Sequence, residues 1–356
     1  MNIALASKIG LGLTLLGALL AGCGGSDTSG SGGGGAGGAT TTTTTSDTTT
    51  GGSGGETSTG GSATPGFVAQ TDPTKGELPE GLYASGDTAY MGFAALGTIE
   101  KVALADGTRT AFGSIPPIPA NGGYMLGITA DAAGDIYVGF GGGDNSALDN
   151  GVYKLPKAGG AASAVFAKDA AMNFPNGLVF DGASLFVADS GGTIFKIGAD
   201  GLPAVWSNDP ALSDPNIDCQ FKAPFPLGAN GIVKIGDAFY VSNTNAATIV
   251  KVPVQADGTA GDAAVIAGPD CAALGGVDGI AVDADGASLL AVVNSQSRLV
   301  RIDMAGKITT VLEGAPLDNP ASIAVVKGAD GATAYITNSS FFSAAPKPGL
   351  VSVPLP

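Results

Sequence analysis

The apolar residues of this chain fall in short runs separated by Asp-Gly and Gly turns, most clearly between Val277 and Gly314. Ile280–Val282 is an apolar run followed by the turn Asp283-Ala284-Asp285-Gly286. Leu289–Val293 is a second run, Arg298–Ile302 alternates polar with apolar, and Lys307–Leu312 is rich in β-branched residues. Such runs, punctuated by such turns, predict an antiparallel meander of four short strands. One meander cannot bury both its faces alone, so it predicts further copies of itself.

The copies are present. Aligned on the first strand, the chain reads Pro79-Glu80-Gly81-Leu82, Met125-Leu126-Gly127-Ile128, Pro175-Asn176-Gly177-Leu178, Ala229-Asn230-Gly231-Ile232, Val277-Asp278-Gly279-Ile280 and Ala321-Ser322-Ile323. Taken at Glu80, Leu126, Asn176, Asn230, Asp278 and Ser322, the spacings are 46, 50, 54, 48 and 44 residues. Second strands recur at Ala89–Phe93, Asp135–Phe140, Leu185–Ser190, Phe239–Thr244, Leu290–Ser295 and Ala334–Ser339, each followed by a third. A period of about 40–50 residues with four strands per unit marks a β-propeller blade. The predicted fold is all-β: a six-bladed β-propeller of four-stranded antiparallel blades. The last blade runs out of chain after its third strand. Gly66–Gln70, from the N-terminal side, is predicted to supply the missing strand and close the ring.

Three segments follow from this layout: 1–22 as a signal peptide, 23–64 as a lipidated cysteine and linker, and 65–356 as the propeller. Lys8 precedes an apolar run from Ile9 to Ala21, which is too short to span a bilayer and suits a signal-peptide core. Leu20-Ala21-Gly22-Cys23 resembles the bacterial lipoprotein box, which implies cleavage before Cys23, its lipidation, and anchoring to a lipid bilayer of the cell envelope. Gly24 rather than Asp at the next position would favour the outer membrane in a Gram-negative host. The Gly, Ser and Thr that follow cannot bury enough surface to offset their ordering entropy.

Composition narrows the chemistry. The chain has no histidine, which removes Ser-His-Asp hydrolases, histidine bases and His-ligated zinc. A formal charge of −15 argues against nucleic acid as a partner. With Cys23 set aside, Cys219 and Cys271 lie in the loops entering adjacent blades. We expect a disulfide there, the other state being two buried thiols.

All first strands of a propeller start at the same mouth of the central channel. Glu80, Leu126, Asn176, Asn230, Asp278 and Ser322 should therefore ring that mouth. Two carboxylates and two carboxamides converging on one axis are a donor set for a hard divalent cation, although Asn-Gly and Asp-Gly are also routine turn pairs. The openings Pro79-Glu80-Gly81, Pro175-Asn176-Gly177, Ala229-Asn230-Gly231 and Val277-Asp278-Gly279-Ile280-Ala281-Val282-Asp283 resemble the regucalcin/gluconolactonase (senescence marker protein) family over roughly residues 66–356. The resemblance implies one divalent cation held by Glu80, Asn230 and Asp278, calcium first, with manganese, magnesium or zinc as alternatives. It also implies Asn176 at the substrate, and hydrolysis of a small-molecule lactone or ester with Asp278 and Glu80 as the catalytic carboxylates. Sugar-lactonase members carry an arginine where this chain has Phe174, so a less polar lactone is expected. Phe225, in the loop before Asn230, either walls the pocket or caps the disc.

Other residues look structural. Asp189, Asn243, Asn294 and Asn338 end second strands and are expected to hold loops. Trp206 is expected to pack in an outer strand. The alternative to an enzyme is a non-catalytic binding propeller of the NHL kind on the cell envelope, which shares the Gly-Ile-Ala-Val-Asp phrasing but does not require Glu80 with Asn230 and Asp278. A monomer is expected in either case.

Overall fold

The computed structural model describes residues 64–143, 146–162, 164–214, 219 and 227–356. The predicted leader and linker, Cys23 and Phe225 lie outside the described residues. The first strand, β1 (Gly66–Gln70), belongs to the last blade. Blade I holds β2 (Pro79–Ser85), β3 (Thr88–Phe93), β4 (Thr98–Ala103) and β5 (Arg109–Ser114). Blade II holds β6 (Tyr124–Ala130), β7 (Ile136–Gly141), β8 (Gly151–Leu155) and, beyond the short β9 (Gly160–Ala161), β10 (Val165–Ala167). Blade III is β11 (Pro175–Asp181), β12 (Ser184–Asp189), β13 (Thr193–Ile197) and β14 (Pro203–Ser207). Blade IV is β15 (Ala229–Ile235), β16 (Ala238–Asn243), β17 (Thr248–Pro253) and β18 (Ala264–Ala267). Blade V is β19 (Val277–Val282), β20 (Leu289–Val293), β21 (Arg298–Ile302) and β22 (Ile308–Glu313). Blade VI is β23 (Pro320–Gly328), β24 (Gly331–Asn338), β25 (Gly349–Leu355) and β1.

The predicted closure is therefore observed: β1 pairs antiparallel with β25, from Gly66 opposite Ser352 to Gln70 opposite Gly349. The innermost strands β2, β6, β11, β15, β19 and β23 pack side by side in a closed circle, with β23 against β2. β9 leaves blade II to pair in parallel with β5, covering the outer edge of blade I.

The core is divided among the blade interfaces. Met91, Phe93 and Leu82 of blade I meet Leu350 and Ala69 of blade VI, and Ile99 of blade I meets Phe140 and Val138 of blade II. Phe195 and Leu185 meet Tyr137 and Val152, and Phe239 and Val241 meet Phe186 and Ile194. Tyr240 and Ile249 meet Leu289 and Val293, and Leu290 and Val292 meet Ile336 and Val351. Each blade thus buries both faces only because it has two neighbours. Trp206 packs edge-on against Phe186 and Phe239, as expected, and its indole N–H donates to the Gly258 carbonyl at 3.0 Å. Cys219 and Cys271 form a disulfide with Cα atoms 5.2 Å apart, joining the loops that precede blades IV and V.

Each innermost strand shifts register by one residue at its ring position, as between Pro79 and Leu82 against Phe93 and Met91, or between Pro175 and Gly177 against Asp189 and Ala188. In five blades the residue after the ring residue is glycine because the next strand lies against it. A Cβ on Gly127 would sit 2.1 Å from the Asn176 carbonyl oxygen, and one on Gly81 would sit 2.1 Å from that of Leu126. Substituting Gly127→Ala must push β11 away. The expected cost is about 1–3 kcal/mol in chemical denaturation, because the obstacle is backbone rather than a side chain that can rotate aside.

Candidate functional site

The bulges decide which side chains surround the channel mouth. Register places Pro320 opposite Asn338 and Ile323 opposite Ile336, matching Val277 opposite Val293 and Ile280 opposite Ala291. The sixth ring residue is therefore Ala321. Ser322 occupies the place that glycine takes elsewhere, one residue later than expected, and lines the channel below the mouth. The ring reads Glu80, Leu126, Asn176, Asn230, Asp278 and Ala321, with its polar members on blades I, III, IV and V.

Glu80, Asn176 and Asn230 are buried, and Asp278 is half-buried. Glu80 and Asp278 occupy equivalent positions near the starts of β2 and β19, on one face of the ring. Burial pushes the Glu80 carboxyl well above its usual range, and the neighbouring Asp278 carboxylate pushes it the same way. Burial likewise raises Asp278, from 3.8 to about 7, against hydrogen bonds from Asn230 and Asn294 that favour its charged form. Glu80 Oε2 is fully buried with no hydrogen-bond partner. An acceptor in that state is costly unless a proton or a cation completes it.

Backbone clamps hold these residues in place. Thr337 Oγ1 accepts from the Ser322 amide at 2.9 Å and donates to the Glu80 carbonyl at 2.8 Å, tying blade VI to blade I. Ser242 Oγ accepts from the Gly231 amide and donates to the Asp278 carbonyl, tying blade IV to blade V. Asn230 Nδ2 donates to Thr244 Oγ1 at 2.9 Å, and Asn176 Nδ2 approaches Ser190 Oγ at 3.5 Å.

Asp189, Asn243 and Asn338 hold loops, as expected. Asp189 accepts from the Asn173, Phe174 and Gly191 amides, Asn243 Nδ2 donates to the Ala211 and Ser213 carbonyls, and Asn338 Nδ2 donates to that of Pro316. Asn294 departs from them. It lies one residue beyond the end of β20, and its Nδ2 reaches Asp278 Oδ2 at 3.5 Å. Its sequence neighbourhood resembles the loop-holding positions, and only strand pairing shows that it shares the place of Ser190 and Thr244. Phe174 lies half-buried just before β11, packed close to Gly141 at the end of β7.

Among the described residues, no three carboxylates, thiols or imidazoles cluster as a metal site. The donor set is two carboxylates with carboxamides. It fits a hard cation on one observation: Glu80 Oε2 is an orphaned buried oxygen beside a second carboxylate.

The two carboxyls make stability depend on pH. Without a cation, Asp278 holds its proton up to about 7 in the folded chain, against 3.8 ordinarily. A carboxyl raised by folding contributes stability that is complete below the ordinary value and lost as pH climbs through the folded one. Glu80 shifts the same way. In chelator, the wild type should lose melting temperature between about pH 4 and pH 7, and Asp278→Asn should lose less over that span. Identical slopes in the two proteins would contradict the coupling.

Residues 229–340 match the family described as the SMP-30/Gluconolactonase/LRE-like region. A comparison with curated proteins finds no match. Among solved structures, a luciferin-regenerating enzyme aligns with a TM-score of 0.58 and 14% identity, over 82% of this chain and 95% of that one. Regucalcin from Agrobacterium tumefaciens str. C58, described as a calcium-binding protein, aligns with a TM-score of 0.57 and 17% identity, over 82% and 92%. A putative gluconolactonase gives 0.57 and 15%, over 82% and 91%. At these identities the structural likeness is one of fold. The segment carrying Asn230, Asp278 and Asn294 thus matches the SMP-30/gluconolactonase/LRE-like family, within a ring that has the fold of the regucalcin and gluconolactonase propellers.

Proposed function

We propose that this protein is a divalent-cation-dependent hydrolase of a lactone or ester, with calcium as the first candidate ion. The observation that carries the proposal is the placing of Glu80 and Asp278 at equivalent positions near the starts of β2 and β19, with the Glu80 carboxyl raised by Asp278 and its Oε2 buried and unpartnered. Glu80, Asn230 and Asp278 would hold the ion. When bound, it would polarise the substrate carbonyl and ease deprotonation of a water. Asp278 is the residue suited to take that proton, as the carboxylate at the ion that Asn294 Nδ2 also approaches at 3.5 Å. Asn176, on the same rim, is placed to orient the substrate through its amide.

The remaining rim points to the kind of lactone. Leu126 is the ring residue of blade II, and Phe174, just before blade III, packs against Gly141 at the end of β7. A substrate seated over the carboxylates would meet hydrocarbon on that side, which favours a lactone with an apolar substituent over a sugar acid. Phe225 would add to this wall.

The lipid tether inferred at Cys23 is part of the same proposal. β1 runs toward the ring mouth, because Gln70 pairs with Gly349, which in turn pairs with Asn338 beside the mouth. Gly66 lies at the opposite end. A tether entering there would leave the catalytic mouth facing away from its attachment.

The expected result is about one divalent ion per chain in the purified protein. Glu80→Ala and Asp278→Ala should each lose the ion and reduce hydrolysis of simple lactones to background. Metal analysis and a lactone screen in added calcium, manganese or zinc check this. Unchanged ion content in both variants would leave the binding-propeller alternative.

A further inference from the structure

Blades III, IV and V share a device at the channel mouth. Ser190, Thr244 and Asn294 each follow the last residue of their blade's second strand, at β12, β16 and β20. Each engages the ring side chain of its own blade and the backbone of the next. Ser190 Oγ takes the Asn176 amide and donates to the Ala229 carbonyl at 3.0 Å. Thr244 Oγ1 takes Asn230 Nδ2 at 2.9 Å and donates to the Val277 carbonyl at 2.8 Å.

A hydroxyl has one hydrogen. Thr244 commits its hydrogen to Val277, so toward Asn230 it can only accept. That fixes which end of the carboxamide faces Thr244: the nitrogen is held there, and Oδ1 is turned away from it. On blade V the ring residue is a carboxylate, which accepts only, and the residue in the same place is a donor. Asn294 Nδ2 reaches Asp278 Oδ2 at 3.5 Å and the Asn319 carbonyl of blade VI at 3.3 Å. Asn319 Nδ2 returns a bond to the Asn294 carbonyl at 3.2 Å, so the donor is itself braced. Asn294 is 5% exposed, and its Oδ1 is buried without a partner. The polarity of the second-strand residue thus follows the polarity of the ring residue it serves.

We propose that Thr244 and Asn294 are positioning residues that set the cation affinity of the cup. Thr244 does so by orienting the Asn230 carboxamide, and Asn294 by holding the Asp278 carboxylate. The inference rests on the cup holding a cation.

The test is calorimetric titration of calcium and of manganese into the full-length protein after chelation, with melting temperatures recorded alongside. Thr244→Val keeps the shape and removes the hydroxyl, Thr244→Ser keeps the hydroxyl, and Asn294→Leu removes the donor to Asp278. Thr244→Val and Asn294→Leu should weaken binding by about tenfold to a hundredfold, the range expected for outer partners of metal ligands, while Thr244→Ser stays close to wild type. A role confined to joining the blades would lower melting temperature and leave affinity per folded chain unchanged in both variants, which would overturn the proposal. If Thr244→Val does not fold, Thr244→Ala is read in the same titration. A wild type that binds neither ion removes the cation reading itself. A wild type that binds, with variants that bind equally, removes only the positioning roles.

Discussion

A four-stranded blade has two apolar faces and no means of covering either by itself, and the rest of this molecule follows from that constraint. Six blades cover one another in a circle, and the buried residues divide into one cluster for each pair of neighbours. A circle must also end where it began. The last blade is completed by β1, so the two ends of the propeller are held in one sheet. Closure sets blade I beside blade VI, so that Glu80 and Asp278 stand on either side of Ala321 in the ring order. Neither carboxylate could be stably buried beside the other in an open chain.

Packing at the centre leaves little room for substitution. Consecutive innermost strands approach so closely that a methyl group at the bulge would meet the next backbone, which accounts for the glycine after each ring residue in five blades. The same approach brings hydroxyls of one blade within reach of carbonyls of the next. Ser190, Ser242, Thr244 and Thr337 use that reach to tie ring residues to adjacent blades. The cup is thus a rigid feature of the closed ring, with side chains whose hydrogen-bond directions are settled by their neighbours. Its carboxyls are held against their own electrostatic preference. Burial raises both, the neighbouring Asp278 raises Glu80 further, and the Asn230 and Asn294 amides offset the rise at Asp278 only in part. A buried, unpartnered carboxyl oxygen near a second carboxyl favours a proton or a cation.

Two of the expectations drawn from sequence were displaced by one residue, the first because of a bulge. A bulge places two residues of one strand against one of the other, so counting along the chain loses register where no glycine marks it. Ser322 was aligned to the ring on that count, and Ala321 occupies the place. Asn294 was grouped with Asp189, Asn243 and Asn338 by residue type, whereas pairing sets it with Ser190 and Thr244. The second shift is the more informative, because it moves Asn294 from a loop-holding position to a partner of Asp278.

The chain's periodicity was enough to establish the blade count, the strand order within each blade, the closing strand and the blades that contribute carboxylates and carboxamides. These follow from hydrophobic runs and turns, which are local and repeat. Residue type also pointed to Glu80, Asn230 and Asp278 as a group, through their shared place before a first-strand glycine. Only the tertiary structure decided that Asp278 raises the buried Glu80 carboxyl, which oxygen is left without a partner, and which end of the Asn230 carboxamide is held. Those depend on atoms contributed by the next blade, some fifty residues away, and on which hydroxyl has already given up its hydrogen. Spacing along a chain carries the first kind of information and is blind to the second.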